Sequence, residues 1–192
     1  MKDTIKVALR LLIITVVAGL ALGFTNSITE EPIKEQERIA GETARQAVLD
    51  ADSFTELPLE ELKNSGKWDA AFDAVIGVYQ GEKGGEYAGM VVVLDTKGYG
   101  GAIRLTVGVD AENQVSGVNI GSHGETPGLG AKAANASFTD QYQGSDAGTP
   151  IQLGAAGNNS IEAISGATVT SRSVTDGVNV ANQVVQIFGK GE

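Results

Sequence analysis

Residues 164–171 decide how this chain is interpreted; they read Ile164-Ser165-Gly166-Ala167-Thr168-Val169-Thr170-Ser171. Directly after them, apolar residues recur at three- and four-residue steps, which predicts an amphipathic helix: Val174, Val178, Ala181, Val185 and Phe188. The run therefore lies just before or within the first turn of a helix. Unpaired backbone N–H groups and the helix dipole favour a phosphate there. Taken alone, the same run also fits an ordinary Ser/Thr-rich helix start.

Composition excludes several classes of protein. The chain has 192 residues and a net charge of −10, and the acidic surface argues against nucleic acid as a partner. Cysteine is absent, so disulfides, thiolate metal sites and iron–sulfur clusters are excluded. A single histidine argues against a structural zinc site. The length suits one domain with a core and a short extra segment.

The N-terminal region predicts a membrane-spanning helix over residues 5–24, in which Arg10 is the one charged residue past Lys6. About 20 apolar residues span a bilayer, and a long Arg side chain near one end can reach the headgroups. Basic residues precede the span and glutamates follow it, so we expect a cytoplasmic N-terminus and an extracytoplasmic remainder. The alternative is a cleaved signal peptide, but Ala21-Leu22-Gly23 is a poor cleavage site, and we expect the helix to be retained.

The rest of the chain predicts an α+β fold: after the single transmembrane helix, an extracytoplasmic antiparallel-sheet domain flanked by helices. A helix is expected over residues 28–50, with Pro32 in its first turn, and a connector with a short helix over 59–64. From Ala74 the period becomes two, and strands are expected over residues 75–80, 86–95, 101–110 and 114–120. The expected divisions are 1–27 for the cytoplasmic tip and span, 28–70 for the exit helix and connector, and 71–192 for the domain.

Glycine-rich loops interrupt this pattern at two places. Residues 97–101 form a turn between strands, and residues 123–132 form a rigid loop that contains Pro127 and ends on Lys132. A phosphate-binding loop would need Gly-Lys-Ser/Thr, which is missing, so a nucleotide triphosphate is disfavoured. His123 is either a site residue or a loop residue bonded to backbone. Residues 144–159 are expected to be an exposed loop, and the segment from Phe138 to Gly144 could cover the site.

Two of these segments resemble a known family. Residues 162–168, Glu-Ala-Ile-Ser-Gly-Ala-Thr, resemble the flavinylation motif of the FMN-binding domain family, where the family has Asp in place of Glu162. Together with the membrane span, the turn at residues 97–101 and Glu-Thr-Pro-Gly-Leu-Gly at 125–130, nearly the whole chain resembles the G subunits of the Rnf complex. That complex is an ion-translocating ferredoxin:NAD oxidoreductase. The C subunits of the sodium-translocating NADH:quinone reductase are related to them.

The resemblance implies FMN held covalently by a phosphoester to Thr168, and a separate flavin transferase that installs it. It implies a redox subunit of a translocase in the cell's inner or plasma membrane. The expected partners are the bilayer and the complex's other membrane subunits, one of which carries a second covalent flavin. Ser165, Gly166 and Ala167 would shape the phosphate site. The residues expected to line the flavin are Glu125, Thr126, Gly128, Leu129 and Gly130, with Lys132 as a further candidate.

A second hypothesis comes from another class of protein. The chain could be a membrane-anchored envelope binding or sensor module that has this type of fold and never receives flavin. The Ser-Gly-Ala-Thr run favours the flavoprotein.

Overall fold

The computed structural model describes residues 2–154, 157 and 159–189. The chain forms two compact units, Met1–Glu42 and Thr43–Glu192. The predicted divisions at residues 27 and 70 stay a prediction.

The first helix, α1, runs without a break from Lys2 to Val48, with Pro32 inside it. The expectation of two separate helices is therefore wrong. Pro32 removes one backbone hydrogen bond from the helix. The hydroxyls before it donate to carbonyls one turn earlier in the same helix and do not cap a second helix: Thr25 Oγ1 donates to Ala21 O and Ser27 Oγ to Gly23 O. The mean hydropathy reaches 2.4 over a window of 18 residues in this helix, so the helix is long and apolar enough to cross a bilayer.

The second unit is built on an antiparallel sheet of five strands that lie side by side in chain order. Two further short strands pair in parallel with each other. The strands are Ser53–Glu56 (β1), Val75–Lys83 (β2), Glu86–Lys97 (β3), Ala102–Asp110 (β4), Val115–His123 (β5), Gln152–Leu153 (β6) and Ser160–Ile161 (β7). The later helices are Leu59–Asn64 (α2), Ala136–Thr139 (α3) and Thr168–Phe188 (α4), with 3-10 turns at Ala70–Ala74, Gly130–Ala134 and Asp140–Tyr142.

The predicted meander, the short helix α2 and the amphipathic helix α4 are confirmed; β2, β3 and β5 extend two or three residues beyond their expected ends, while β4 and β5 begin one residue later than expected. The β2–β3 loop shrinks to Gly84 and Gly85, whose φ values of +60° and +83° suit the tight turn between twisted strands. Strand β1 was missed, because its four residues lie at the sheet edge and their side chains are mostly exposed.

Helix α4 packs on one face of the sheet, across β3 and β4. Its apolar stripe enters the core, where Val174, Val178 and Ala181 are fully buried. Gly177 permits the close approach, since a Cβ there would overlap Thr96 and Leu105. The start of α4 is thereby fixed against the sheet, and it is this end that carries residues 164–171.

The opposite face of the sheet receives the last turn of α1. Val48 and Leu49 are buried there in a cluster with Val91. Gly108 and Gly117 are paired across β4 and β5, and a Cβ on either would overlap the backbone of Val48. The domain thus includes the end of α1 as part of its core.

The part of residues 144–159 that the structure describes is not simply the exposed loop that was expected; residues 155, 156 and 158 lie outside the described residues. Ile151 is buried, and the side-chain amide of Asn179 on α4 bonds both its N–H and its C=O. The glycines and polar residues of this segment gave no periodic signal that could reveal this packing.

Candidate functional site

The Ser-Gly-Ala-Thr run forms a tight turn that delivers the chain into α4. Ala167 N–H donates to Ile164 C=O at 2.9 Å, and Gly166, at the third position of this turn, has a φ of +76°. A type II turn needs a positive φ at that position, which explains the glycine. Ser171 Oγ fixes the turn from inside, because it accepts from Ile164 N–H and donates to Ala167 C=O, both at 3.0 Å.

The side-chain hydroxyls of residues 164–171 differ in their exposure and hydrogen bonding. Those of Thr170 and Ser171 are buried and engaged in hydrogen bonds. Thr168 is exposed and is the first residue of α4, while the N-cap position is occupied by Ala167. Alanine has no side-chain acceptor, so it cannot cap the first backbone N–H groups of the helix as Ser or Asp would. The helix start is therefore suited to receive an external anion.

The Glu-Thr-Pro-Gly-Leu-Gly loop lies against this turn. It closes on itself through hydrogen bonds from Leu129 and Ala131 N–H to Thr126 C=O, both at 3.2 Å. Gly128 has a φ of +78°, which favours glycine. Leu129 reaches across to Gly166, so the two predicted motifs are in contact.

Glu125 begins this loop and turns its carboxylate inward; the residue is only 6% exposed. Oε1 accepts from Gly100 N–H at 2.9 Å, and Oε2 accepts from Thr170 Oγ1 at 2.5 Å. Burial raises the pKa of Glu125. The hydrogen bonds from Thr170 and Gly100, together with the Tyr99 backbone and the nearby His123, lower it by more, so the pKa lies below its ordinary value. The carboxylate is therefore ionised at neutral pH.

These elements enclose a cleft of about 570 Å³, within the size range of ligand pockets. Most of the predicted site residues are in its lining, which consists of Tyr99, Glu125, Thr126, Leu129, Gly130, Gly166, Ala167, Thr168, Val169 and Thr170. Among the described residues of the second unit, the three most exposed large apolar side chains all belong to this lining: Tyr99, Val169 and Leu129. The cleft thus combines an anion-binding helix start with apolar walls.

The remaining predicted site residues lie elsewhere. Ser165 and Gly128 are exposed beside the cleft and do not line it. Lys132 lines a separate depression of about 210 Å³ with Glu162. Phe138 belongs to that depression and to the core, where it packs on Tyr142 with a centroid separation of 5.7 Å. The segment after the loop therefore does not cover the cleft.

Sequence reasoning missed Tyr99, Val169 and Thr170 as lining residues. Tyr99 had a signal, since it is the one aromatic residue in the predicted glycine-rich turn. Thr170 had none, because its partner is 45 residues away. His123 ends β5, and its Nδ1 accepts the Glu125 N–H at 3.3 Å, which agrees with the interpretation of His123 as a residue bonded to backbone.

Comparison with known proteins agrees with this architecture. Residues 98–183 match the FMN-binding domain family. Over 98% of its length, the chain is 34% identical to the G subunit of the Na(+)-translocating ferredoxin:NAD(+) oxidoreductase complex of Acetobacterium woodii, and it covers 95% of that protein. It is 36% identical to the G subunit of the proton-translocating ferredoxin:NAD(+) oxidoreductase complex of Clostridium ljungdahlii, over 92% of the chain and 88% of that protein.

Solved structures show the same fold. NqrC from Shewanella oneidensis matches with a TM-score of 0.50 and 26% identity, over 58% of each chain. The C subunit of the Na(+)-translocating NADH-quinone reductase from Parabacteroides distasonis matches with a TM-score of 0.52 and 24% identity, over 60% of this chain and 64% of that one, and supports the fold alone.

The resemblance drawn from the motifs is thereby confirmed. Among the described residues, one helix is long and apolar enough to cross a bilayer, which fits a single-pass membrane protein of such a complex. The chain belongs to the family of G subunits of ion-translocating ferredoxin:NAD(+) oxidoreductase complexes, in which it is a redox subunit with an FMN-binding domain.

Proposed function

We propose that this protein carries electrons on an FMN that is linked through its phosphate to Thr168 Oγ1. The observation that carries the proposal is the position of Thr168: it is exposed, it lines the cleft, and it begins α4. Thr170 and Ser171 are buried and bonded, and Ser165 lies outside the cleft lining. Thr168 is therefore the hydroxyl of this run best placed for a phosphoester.

The cleft suits the chemistry of the group. A phosphate on Thr168 would lie at the first turn of a 21-residue helix, near its N–H groups and the positive end of its dipole. Tyr99, Leu129 and Val169 offer apolar surface of the kind that an aromatic ring system buries. When bound, FMN supplies the electron transfer, while the chain binds and orients it.

The proposal includes the cellular setting. The N-terminus lies in the cytoplasm and the domain outside, in the inner or plasma membrane, because the basic residues precede the span. Outside the cytoplasm a dissociated flavin would be lost by dilution, so a covalent bond keeps the site filled. The partners are the bilayer, the complex's other membrane subunits, including a second covalently flavinylated one, and the flavin transferase.

The test uses full-length protein co-produced with a flavin transferase. Flavin fluorescence should survive complete denaturation, and mass spectrometry should place the FMN mass on the peptide that contains Thr168. Thr168→Val should abolish both signals and leave the fold intact, whereas Thr55→Val, an exposed threonine on β1, should change neither. FMN on Ser165 or Thr170 would overturn the attachment site. No flavin at all would favour the anchored binding or sensor module.

A further inference from the structure

The carboxylate of Glu125 occupies a space that the backbone keeps open for it. A Cβ on Gly98 would overlap Oε1, and a Cβ on Gly130 would overlap Oε2. These two glycines have no positive φ, so the turn geometry does not require them. A side chain on either glycine would displace the carboxylate that lies between them; a Cβ on Gly98 would also overlap Ile103, and one on Gly130 would overlap Thr170 Oγ1.

Hydrogen-bond donors surround this carboxylate. Gly100 N–H and Thr170 Oγ1 donate to one oxygen each, and the Tyr99 backbone also helps to lower the pKa of Glu125. The Glu125 backbone is held as well, through its N–H and His123 Nδ1. These donors favour the ionised form of the buried carboxylate, which accepts at both oxygens.

The donors come from segments that are distant in sequence and meet at the cleft. Gly100 lies in the turn between β3 and β4, Glu125 in the loop after β5, and Thr170 in the first turn of α4. Each of these segments contributes to the cleft lining. Thr170 is two residues beyond Thr168, so the hydrogen bond from Thr170 to Glu125 fixes the helical turn that presents the Thr168 hydroxyl.

We propose that Glu125 is a positioning residue for flavin attachment. Its carboxylate holds the turn at residues 97–101 and the first turn of α4 in the arrangement in which Thr168 receives FMN. This role rests on the proposed function. It is additional to the expectation that Glu125 lines the flavin, and it uses the two side-chain oxygens, each of which is bonded to a protein group. It also gives Thr170 a role that is distinct from attachment.

The test compares three variants of the full-length protein, each co-produced with a flavin transferase. Thr170→Val removes the donor at nearly constant volume, and Thr170→Ser restores it. Thr175→Val is the matched control, because Thr175 is equally buried on α4 and its hydroxyl bonds Tyr142 Oη at 2.8 Å and Ser171 C=O at 3.0 Å, away from Glu125. The measurements are the fraction of protein with FMN on Thr168, the visible circular dichroism of the flavin and the melting temperature.

We expect Thr170→Val to lose at least half of the attached FMN and to alter the flavin circular dichroism. Thr170→Ser should behave as the wild type, and Thr175→Val should lower the melting temperature with full flavin occupancy. If Thr170→Val does not fold, Glu125→Gln takes its place. This change keeps the size of the side chain but turns an amide N–H toward Gly100 N–H or Thr170 Oγ1. The FMN occupancy should then fall and the flavin circular dichroism should change.

Three results would overturn the proposal in distinguishable ways. A folded Thr170→Val, or Glu125→Gln in its place, with complete occupancy and a wild-type flavin spectrum would remove the positioning role and leave the proposed function intact. Wild-type protein without FMN on Thr168 would overturn the proposed function, and the positioning role with it. Equal flavin loss in Thr175→Val would also remove the positioning role, because the effect would then follow stability.

Discussion

Leu129 Cδ2 lies 3.3 Å from the point where a Cβ on Gly166 would stand. The loop after β5 therefore contacts the turn before α4 through the Leu129 side chain, which packs on the backbone of Gly166. Gly166 has a φ of +76°, so its lack of a Cβ serves both the turn and the contact. Changes in either segment should be felt at the cleft between them.

Gly128→Val tests whether the loop contacts the flavin. Gly128 has a φ of +78°, and a Cβ there meets no protein atom within 4 Å, so the protein itself opposes the change only through backbone strain of about 1–3 kcal/mol. If the flavin lies against the loop, occupancy should fall or the absorbance spectrum and reduction potential should shift. Gly84→Val is the matched control, since Gly84 has a φ of +60°, equally open surroundings and a place in the β2–β3 hairpin. Full occupancy with an unchanged spectrum would show that Gly128 is not part of the site.

The ionised carboxylate of Glu125 predicts a pH dependence of stability. Its pKa is lower in the folded protein than in the unfolded chain, so its contribution is complete above the ordinary glutamate value of about 4.3 and is lost as the pH falls below that value. Glu125→Gln lacks this contribution. The difference in free energy of unfolding between wild type and variant should therefore shrink on acidification from about pH 6 to about pH 3. Urea denaturation at a series of pH values would measure it, and a difference that stayed constant would contradict an ionised, hydrogen-bonded Glu125.

The contact between the sheet and the end of α1 predicts a stability effect far from the cleft. Gly108→Ala would force a methyl group against the Val48 backbone and weaken the bond from Ser116 Oγ to Val48 C=O, at a cost of about 1–3 kcal/mol. Gly121→Ala is the control, because its Cβ would stand at an ordinary 3.6 Å from Arg104. Thermal melting of the full-length protein in detergent should show a lower midpoint for Gly108→Ala alone. Equal midpoints would mean that α1 does not pack there.

The charge asymmetry around residues 5–24 predicts the membrane orientation. A reporter that is active only outside the cytoplasm should give signal when it is fused after Glu192. Reversing the bias, by replacing Lys2, Lys6 and Arg10 with Glu, should reduce that signal. Activity from a cytoplasmic reporter at the same position would overturn the orientation and, with it, the dilution argument for a covalent flavin.

The sequence by itself determined the features that depend on neighbours in the chain. The apolar span, the alternation of β2 to β5 and the three- to four-residue period of α4 are local patterns. The last two also decide which face of each element is buried. The flavinylation-type motif and the Glu-Thr-Pro-Gly-Leu-Gly loop were equally visible. A local pattern cannot reveal that α1 continues through Pro32, because the helix there depends on the balance between one lost hydrogen bond and many retained ones.

Only the tertiary structure decided how the cleft is assembled. The bond between Glu125 and Thr170 joins residues 45 positions apart, and Gly98 and Gly130, which lie on either side of the carboxylate, are 32 positions apart. The same packing places Tyr99 in the cleft and Lys132 outside it. Such contacts depend on how the strands and α4 pack in three dimensions. The spacing of residues along the chain carries no information about them.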